Sequence, residues 1–349
     1  MAEYVPVDGV EVKFLDGCNR SCTFCVNEDF IGKRLNPLDA ERFSAALIAW
    51  LDDPDEPEKP EAVYGTGGEP LMALDLVDAV FRPLAERDVA TRLVTNGTLL
   101  DDRRVARLVD MGLSGVKVTY NTLQSERLLA LMKGAHEKDV VTLLDNIRRA
   151  KDAGLWVFIR MGLGRHNHDE IVPLYRTMRD LGVDVFQIKP WIPSGLAAEN
   201  QAALSLSPNR LVDTFADAMA ELYDEISDGR GPEVTVSCYP PAREMGFTVK
   251  DCANVAKIYA EPCGHALICN FSDEYLGSWY PEEGGFAACV ARRRELYPQI
   301  MDDHGVASCP ARLNWSTPTS VVSPAPQWKA EAGENAAPFI PLTSLSPRA

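Results

Sequence analysis

Several absences narrow what this 349-residue chain does. No apolar run approaches the roughly 18 residues that a membrane-spanning helix needs. The N-terminal MAEYVPVDGVEVKF has no basic stretch followed by an apolar region, so no secretory signal is visible. Positive charge is in the minority, with 35 Lys and Arg against 51 Asp and Glu, for a net charge of −16. Binding to nucleic acid or to anionic lipid relies on clustered Lys and Arg. The expectation is therefore a cytoplasmic protein with no nucleic-acid and no membrane partner, whose acidity suits a polyamine-like small molecule. Cysteine is missing from the whole stretch between Val26 and Ser237. The nine that exist fall in two groups, and an odd number in a chain without an export signal points to metal or redox chemistry rather than to disulfides.

What is present is first a repeat of short β-rich runs and longer helical patterns. The strands predicted are Val10–Leu15, Ala62–Gly67, Val89–Thr95, Gly115–Tyr120, Leu155–Met161 and Val183–Lys189, each rich in β-branched or aromatic residues. Helical spacing of apolar residues recurs over Leu38–Leu51, Leu74–Arg87, Asp101–Met111, Lys138–Ala153 and His168–Leu181. Gly112, Gly154 and Gly182 sit where the last three would be capped. Six βα units in series predict an α/β fold with a parallel sheet, a partial (β/α)6 TIM-like barrel, whose chemistry lies at the carboxyl ends of the strands. After Pro190 the composition changes. The division expected is a core over 1–190, a connector and amphipathic helix over 191–232, a small Cys-rich domain over 233–316, and a loosely held tail over 317–349 rich in Ser, Pro and Ala.

Cys18, Cys22 and Cys25 place three thiols within eight residues just after the first strand. Three soft thiolates suit three corners of an iron–sulfur cube and leave one iron open for a ligand. A structural zinc site needs a fourth ligand nearby, and the next Cys lies more than two hundred residues on.

The spacing, with Phe24 ahead of the last Cys, resembles the Cys-x3-Cys-x2-Cys loop of the radical S-adenosylmethionine (SAM) superfamily. Gly67-Gly68-Glu69-Pro70 resembles its GGEP element, and Thr95-Asn96-Gly97 its TNG turn. The resemblance, over about Val10–Lys189, implies a [4Fe–4S] cluster whose open iron takes the amino and carboxylate groups of SAM. It implies that the GGEP backbone and acid meet the methionine amino group. It also implies that Thr119 meets the ribose, that Arg160 meets the carboxylate, and that Phe24 and the strand near Gln187–Lys189 flank the adenine. One electron then cleaves SAM to methionine and a 5′-deoxyadenosyl radical, which abstracts hydrogen from a C–H bond. A flavodoxin- or ferredoxin-type protein is the expected electron donor.

Ile192–Pro208 resembles the connector into SPASM or twitch auxiliary-cluster domains, with Leu196 in place of the usual Arg. Cys252, Cys263, Cys269, Cys289 and Cys309 then offer five thiols where a second [4Fe–4S] cluster needs four. Zinc and inert buried thiols are the alternatives. His265 and His304 lie in the same region as candidate ligands or substrate contacts. Cys238 stands apart in TVSCYPP, as a ligand, a structural thiol or a hydrogen-atom donor to a substrate radical.

The expected activity is that of an oxidoreductase or epimerase acting on a sugar or aminocyclitol in natural-product biosynthesis. In members that the resemblance points to, the substrate radical either gives an electron to the auxiliary cluster or receives hydrogen from a thiol. A ribosomal-peptide maturase forming thioether or carbon–carbon crosslinks is the second expectation. The position of Cys18 weighs against it, because little sequence precedes it to bind a leader peptide. A non-enzymatic iron–sulfur electron carrier is the third, disfavoured because a carrier needs no SAM cradle.

Overall fold

The computed structural model describes residues 4–26, 36–250, 256–271, 274–302 and 305–314. Cys252, His304 and the expected tail over 317–349 lie outside the described residues.

The βα alternation folds as its periodicity predicts. In chain order come β1 (Gly9–Lys13), α1 (Ala40–Asp52), β2 (Ala62–Thr66), α2 (Leu74–Ala85), β3 (Ala90–Thr95), α3 (Asp102–Asp110), β4 (Gly115–Thr119), α4 (Asp139–Asp152), β5 (Trp156–Leu163), α5 (Ile171–Asp180), β6 (Val185–Pro190) and α6 (Pro208–Ser227). Asp39 and Asp101 accept backbone N–H groups at the starts of α1 and α3, which begins both helices where the pattern places them. Gly112, Gly154 and Gly182 adopt positive φ after α3, α4 and α5, the capping conformation expected of them.

The sheet runs on at both sides of this six-strand arc. β7 (Glu233–Ser237) pairs in parallel with β6, and β8 (Thr248–Lys250) with β7. On the far side β9 (Lys257–Ala260) pairs in parallel with β1, and β10 (His265–Leu267) and β11 (Tyr275–Ser278) continue antiparallel. The order is β8-β7-β6-β5-β4-β3-β2-β1-β9-β10-β11. An unpaired edge leaves backbone donors and acceptors open, and here neither end of the arc is left so. The Cys-rich region thus supplies strands to the same sheet as the core.

It also packs on the first βα unit. α7 (Gly285–Ile300) follows β11, and its Phe286 stacks on Trp50 of α1 with ring centroids 5.1 Å apart. Trp279 meets Phe43 edge-on. Arg293, fully buried, donates to the Val5 carbonyl at 2.7 Å. Among the described residues no helix is long and apolar enough to cross a membrane.

Candidate active site

The three-thiol loop leaves the carboxyl end of β1 and is held from two sides. Ser21 and Cys22 pair antiparallel with Lys133 and Met132, and Thr23 donates to Leu131. From the other side, the Leu196 N–H donates to the Cys25 carbonyl at 2.9 Å, and the Asn200 side-chain amide to the Thr23 carbonyl at 3.0 Å. Gly195 lets this happen. Its φ is +57°, and a Cβ there would lie 2.4 Å from the Val26 carbonyl oxygen. The connector singled out in the sequence is therefore a brace for the Cys loop.

Cys18, Cys22 and Cys25 line one cavity. Burial pushes the Cys18 thiol up to about 11. Burial also raises Cys22 well above its ordinary value, and the charges of Cys25 and Cys18 add to it. Three thiolates confined together without a cation are costly, and a cationic iron group relieves both penalties. The Arg20 N–H points at the Cys18 sulfur at 3.4 Å, the kind of contact that tunes cluster ligands. Among the described residues, no three His, Cys, Asp or Glu converge as a single-ion site. A cube, with its irons at separate corners, does not require that.

The two glycine-bearing turns build the adjoining wall. Gly68 is pressed against the chain before Cys18, where a Cβ would fall 1.9 Å from the Gly17 carbonyl oxygen. Gly67 and Gly68 line the cavity, as do Thr95 and Asn96. Glu69 is fully buried between the two turns. Its carboxylate accepts from Thr95 Oγ1 at 2.8 Å, the Asn96 N–H at 2.8 Å and the Leu71 N–H at 3.0 Å. It thereby ties the second strand's turn to the third's, and Pro70 opens a short 3-10 turn beside it. The Asn96 amide in turn donates to Asn19 and approaches the Cys18 sulfur at 3.8 Å.

Thr119 and Arg160 both face the cavity, directly opposite each other on β4 and β5. Arg160 donates to Gln187 Oε1 at 3.2 Å, and Gln187 is itself buried behind it. Phe24 lines the cavity and stacks on Trp191 at 4.3 Å. Trp191 escaped the sequence reading. Its one signal was an aromatic placed just past the end of β6, with Gly162 and Gly164 leaving room for its ring. Lys189, at the end of the stretch expected to flank the adenine, lines the cavity too, as do Glu11, Tyr259, Asn270 and Phe271, which were not singled out. For Glu11 the available clue was a polar residue between the valines of a strand otherwise buried on both faces, VEVKF.

Of the C-terminal thiols, Cys269 and Cys289 are buried, Cys309 is half-buried and Cys263 is exposed on the β9–β10 turn. The Phe271 N–H points at the Cys269 sulfur at 3.3 Å, repeating the contact made at Cys18. Asn270 and Phe271 line the cavity, so Cys269 borders it. His265 packs edge-on to Tyr275. Cys238 follows β7 with φ at +60°. Burial holds the Arg160 guanidinium below its ordinary value, opposed by the charges of Glu11 and Cys238.

Residues 12–178 match the family described as the Radical SAM superfamily. A probable GTP 3′,8-cyclase of Halobacterium salinarum is 34% identical over 152 residues, covering 43% of this chain and 40% of that protein. The PqqA peptide cyclase of Granulibacter bethesdensis is 25% identical over 291 residues, covering 80% of this chain and 72% of that protein. Among solved structures, anSMEcpe with bound AdoMet and the Kp18Cys peptide superposes with a TM-score of 0.63 at 14% identity, covering 89% of this chain and 84% of that one. The fold is thus the partial barrel of radical SAM enzymes.

Proposed function

We propose that this chain, which carries a radical SAM domain over residues 12–178, removes a hydrogen atom from an alcohol carbon of a sugar or cyclitol held in the barrel lumen, with dehydrogenation or epimerisation as the outcome. One observation carries the reading. A single cavity joins the three-thiol loop, the glycine-lined turns and the inward polar side chains of β1, β4, β5 and β6.

Cys18, Cys22 and Cys25 would hold a [4Fe–4S] cluster, and four of Cys252, Cys263, Cys269, Cys289 and Cys309 a second. Bound there, the reduced cluster with SAM supplies a 5′-deoxyadenosyl radical, the agent that takes the hydrogen atom. The protein's own work is orientation and exclusion of water. Thr119 and Arg160 present a hydroxyl and a guanidinium to the same space, and Gln187 fixes the guanidinium through Nε. Phe24 and Trp191 form an aromatic wall for the adenine. Cys238, beyond the end of β7, is the candidate hydrogen donor that would turn dehydrogenation into epimerisation.

A second reading, peptide maturation, draws on the PqqA peptide cyclase and on the peptide bound to anSMEcpe. Anaerobic reconstitution with iron and sulfide, then SAM and dithionite with substrates deuterated at carbinol carbons, tests the proposal. Deuterium should appear in 5′-deoxyadenosine. No 5′-deoxyadenosine with any substrate overturns the enzyme reading. Deuterium transfer only from a peptide favours maturation.

A further inference from the structure

The lumen below the SAM wall carries the opposite sign to the molecule as a whole. Lys117, Arg160 and Lys189 lie on the neighbouring strands β4, β5 and β6. The register sets them at three successive levels. Lys117 is opposite Phe158, Arg160 is opposite both Thr119 and Gln187, and Lys189 is opposite Gly162. Each step is two residues, or about 6–7 Å, toward the mouth. The cations thus form a diagonal that climbs the inner wall.

Their contacts differ from those of the other inward cations. Lys257 has Glu11 at 3.7 Å, and Lys13 has Asp16 at 2.9 Å. Lys117 instead lies 4.0 Å over the Phe158 ring, and Lys189 lies 4.6 Å over the Phe271 ring. Arg160 meets the neutral Gln187 amide. Among the described residues, none of the three has a carboxylate within ion-pair distance. At the floor, Arg92 stacks on Trp156 and donates to the Tyr64 hydroxyl. Burial, then Arg160 and Lys257, hold the Lys117 ammonium well below its ordinary value, with Glu11 opposing. Cations gathered in a sheltered space without counter-charge are expensive unless a guest supplies it. A cleft lined by one sign also focuses ligands of the other, even where the net charge of −16 is unfavourable.

We infer that the substrate carries an oxyanion, a carboxylate or phosphate, which enters the lumen and is held by Lys117 and Lys189 while its alcohol carbon faces the SAM wall. Arg160 remains with the SAM carboxylate. The inference rests on the proposed radical SAM activity and narrows it. The substrate is an acidic or phosphorylated polyol rather than the polyamine-like sugar that bulk acidity favoured.

The test uses the reconstituted protein with SAM and titrates in pyrophosphate or tartrate, read by calorimetry. At least one of the two should bind, and the stronger identifies the oxyanion as phosphate or carboxylate. Lys117→Met and Lys189→Met should each weaken that binding by about tenfold or more, the scale of a charge-assisted hydrogen bond. Lys138→Met, at an exposed position, is the control and should bind as the wild type does. Lys189→Met covers the case in which Lys117→Met fails to fold. Binding of neither anion, or equal affinity in both lumen variants, overturns the inference. SAM affinity and 5′-deoxyadenosine formation by the wild type are measured separately, so failure of the underlying activity is told apart from failure of anion recognition.

Discussion

Asn200 donates its side-chain amide to the carbonyl of Thr23, 3.0 Å away and 177 positions earlier in the chain. That bond, with Leu196 to Cys25, makes the post-barrel connector part of the Cys loop's support. Asn200→Ala should cost about 1 kcal/mol of stability, the ordinary worth of such a bond. Its clearer effect should be faster loss of iron to a chelator. Equal iron-release rates in variant and wild type would sink the brace.

Gly195→Ala should be harsher. At φ +57° and ψ −139° the backbone is one that only glycine adopts readily, a strain of about 1–3 kcal/mol for alanine, and the added methyl carbon also meets the Val26 carbonyl. Iron retention should fall further than in Asn200→Ala. A variant that loads and keeps iron normally would contradict the packing described at this position.

Glu69 couples stability to pH. Burial raises its pKa to about 7, against three hydrogen bonds that favour the ionised form. Below the unfolded value of about 4.5, both states are protonated and burial costs no charge. As pH rises from about 4.5 to 7, the unfolded chain releases the proton first, so stability declines. The loss reaches about 3 kcal/mol above pH 7. Urea unfolding between pH 5 and pH 8 should show this slope in the wild type, and Glu69→Gln should flatten it. A variant with the same slope would place the titration elsewhere.

Trp191 stacks on Phe24 at the proposed adenine wall. Trp191→Ala should weaken SAM binding about fivefold, from loss of a stack worth about 1 kcal/mol. Trp191→Phe should restore most of it. Equilibrium dialysis with labelled SAM reads the effect, and an unchanged affinity in Trp191→Ala would remove the tryptophan from the SAM wall.

The second cluster and the thiol donor have separate readouts. The Cys18→Ala/Cys22→Ala/Cys25→Ala protein should retain about four irons per chain after reconstitution if a second cube is present. Iron near zero would leave the C-terminal set without one. For Cys238→Ala, the product should shift from epimer to ketone. An identical product distribution would rule out hydrogen donation by this thiol.

The six strands, five helices and three glycine caps were legible because local periodicity and capping chemistry act within a few residues. Cys18, Cys22, Cys25, Gly67 and Gly68 were legible because their residue types admit few other uses at such spacing. Glu69 was found by motif, yet its contacts to Thr95 and Asn96 depend on two strands coming together. Trp191, Lys117 and Lys189 carried only faint signals, since a single lysine or tryptophan in a strand or connector has many meanings. The acidity of the chain pointed toward a cationic substrate, while the register of β4, β5 and β6 gathers cations inside. Net charge sums the whole surface, whereas a ligand meets the few side chains that a parallel sheet turns inward. The sequence by itself determined the βα order and the grouping of three thiols after the first strand, because both are written in short spacings. Only the tertiary structure decided what braces the Cys loop and which sign of charge fills the lumen, because those depend on residues far apart in the chain meeting across strands.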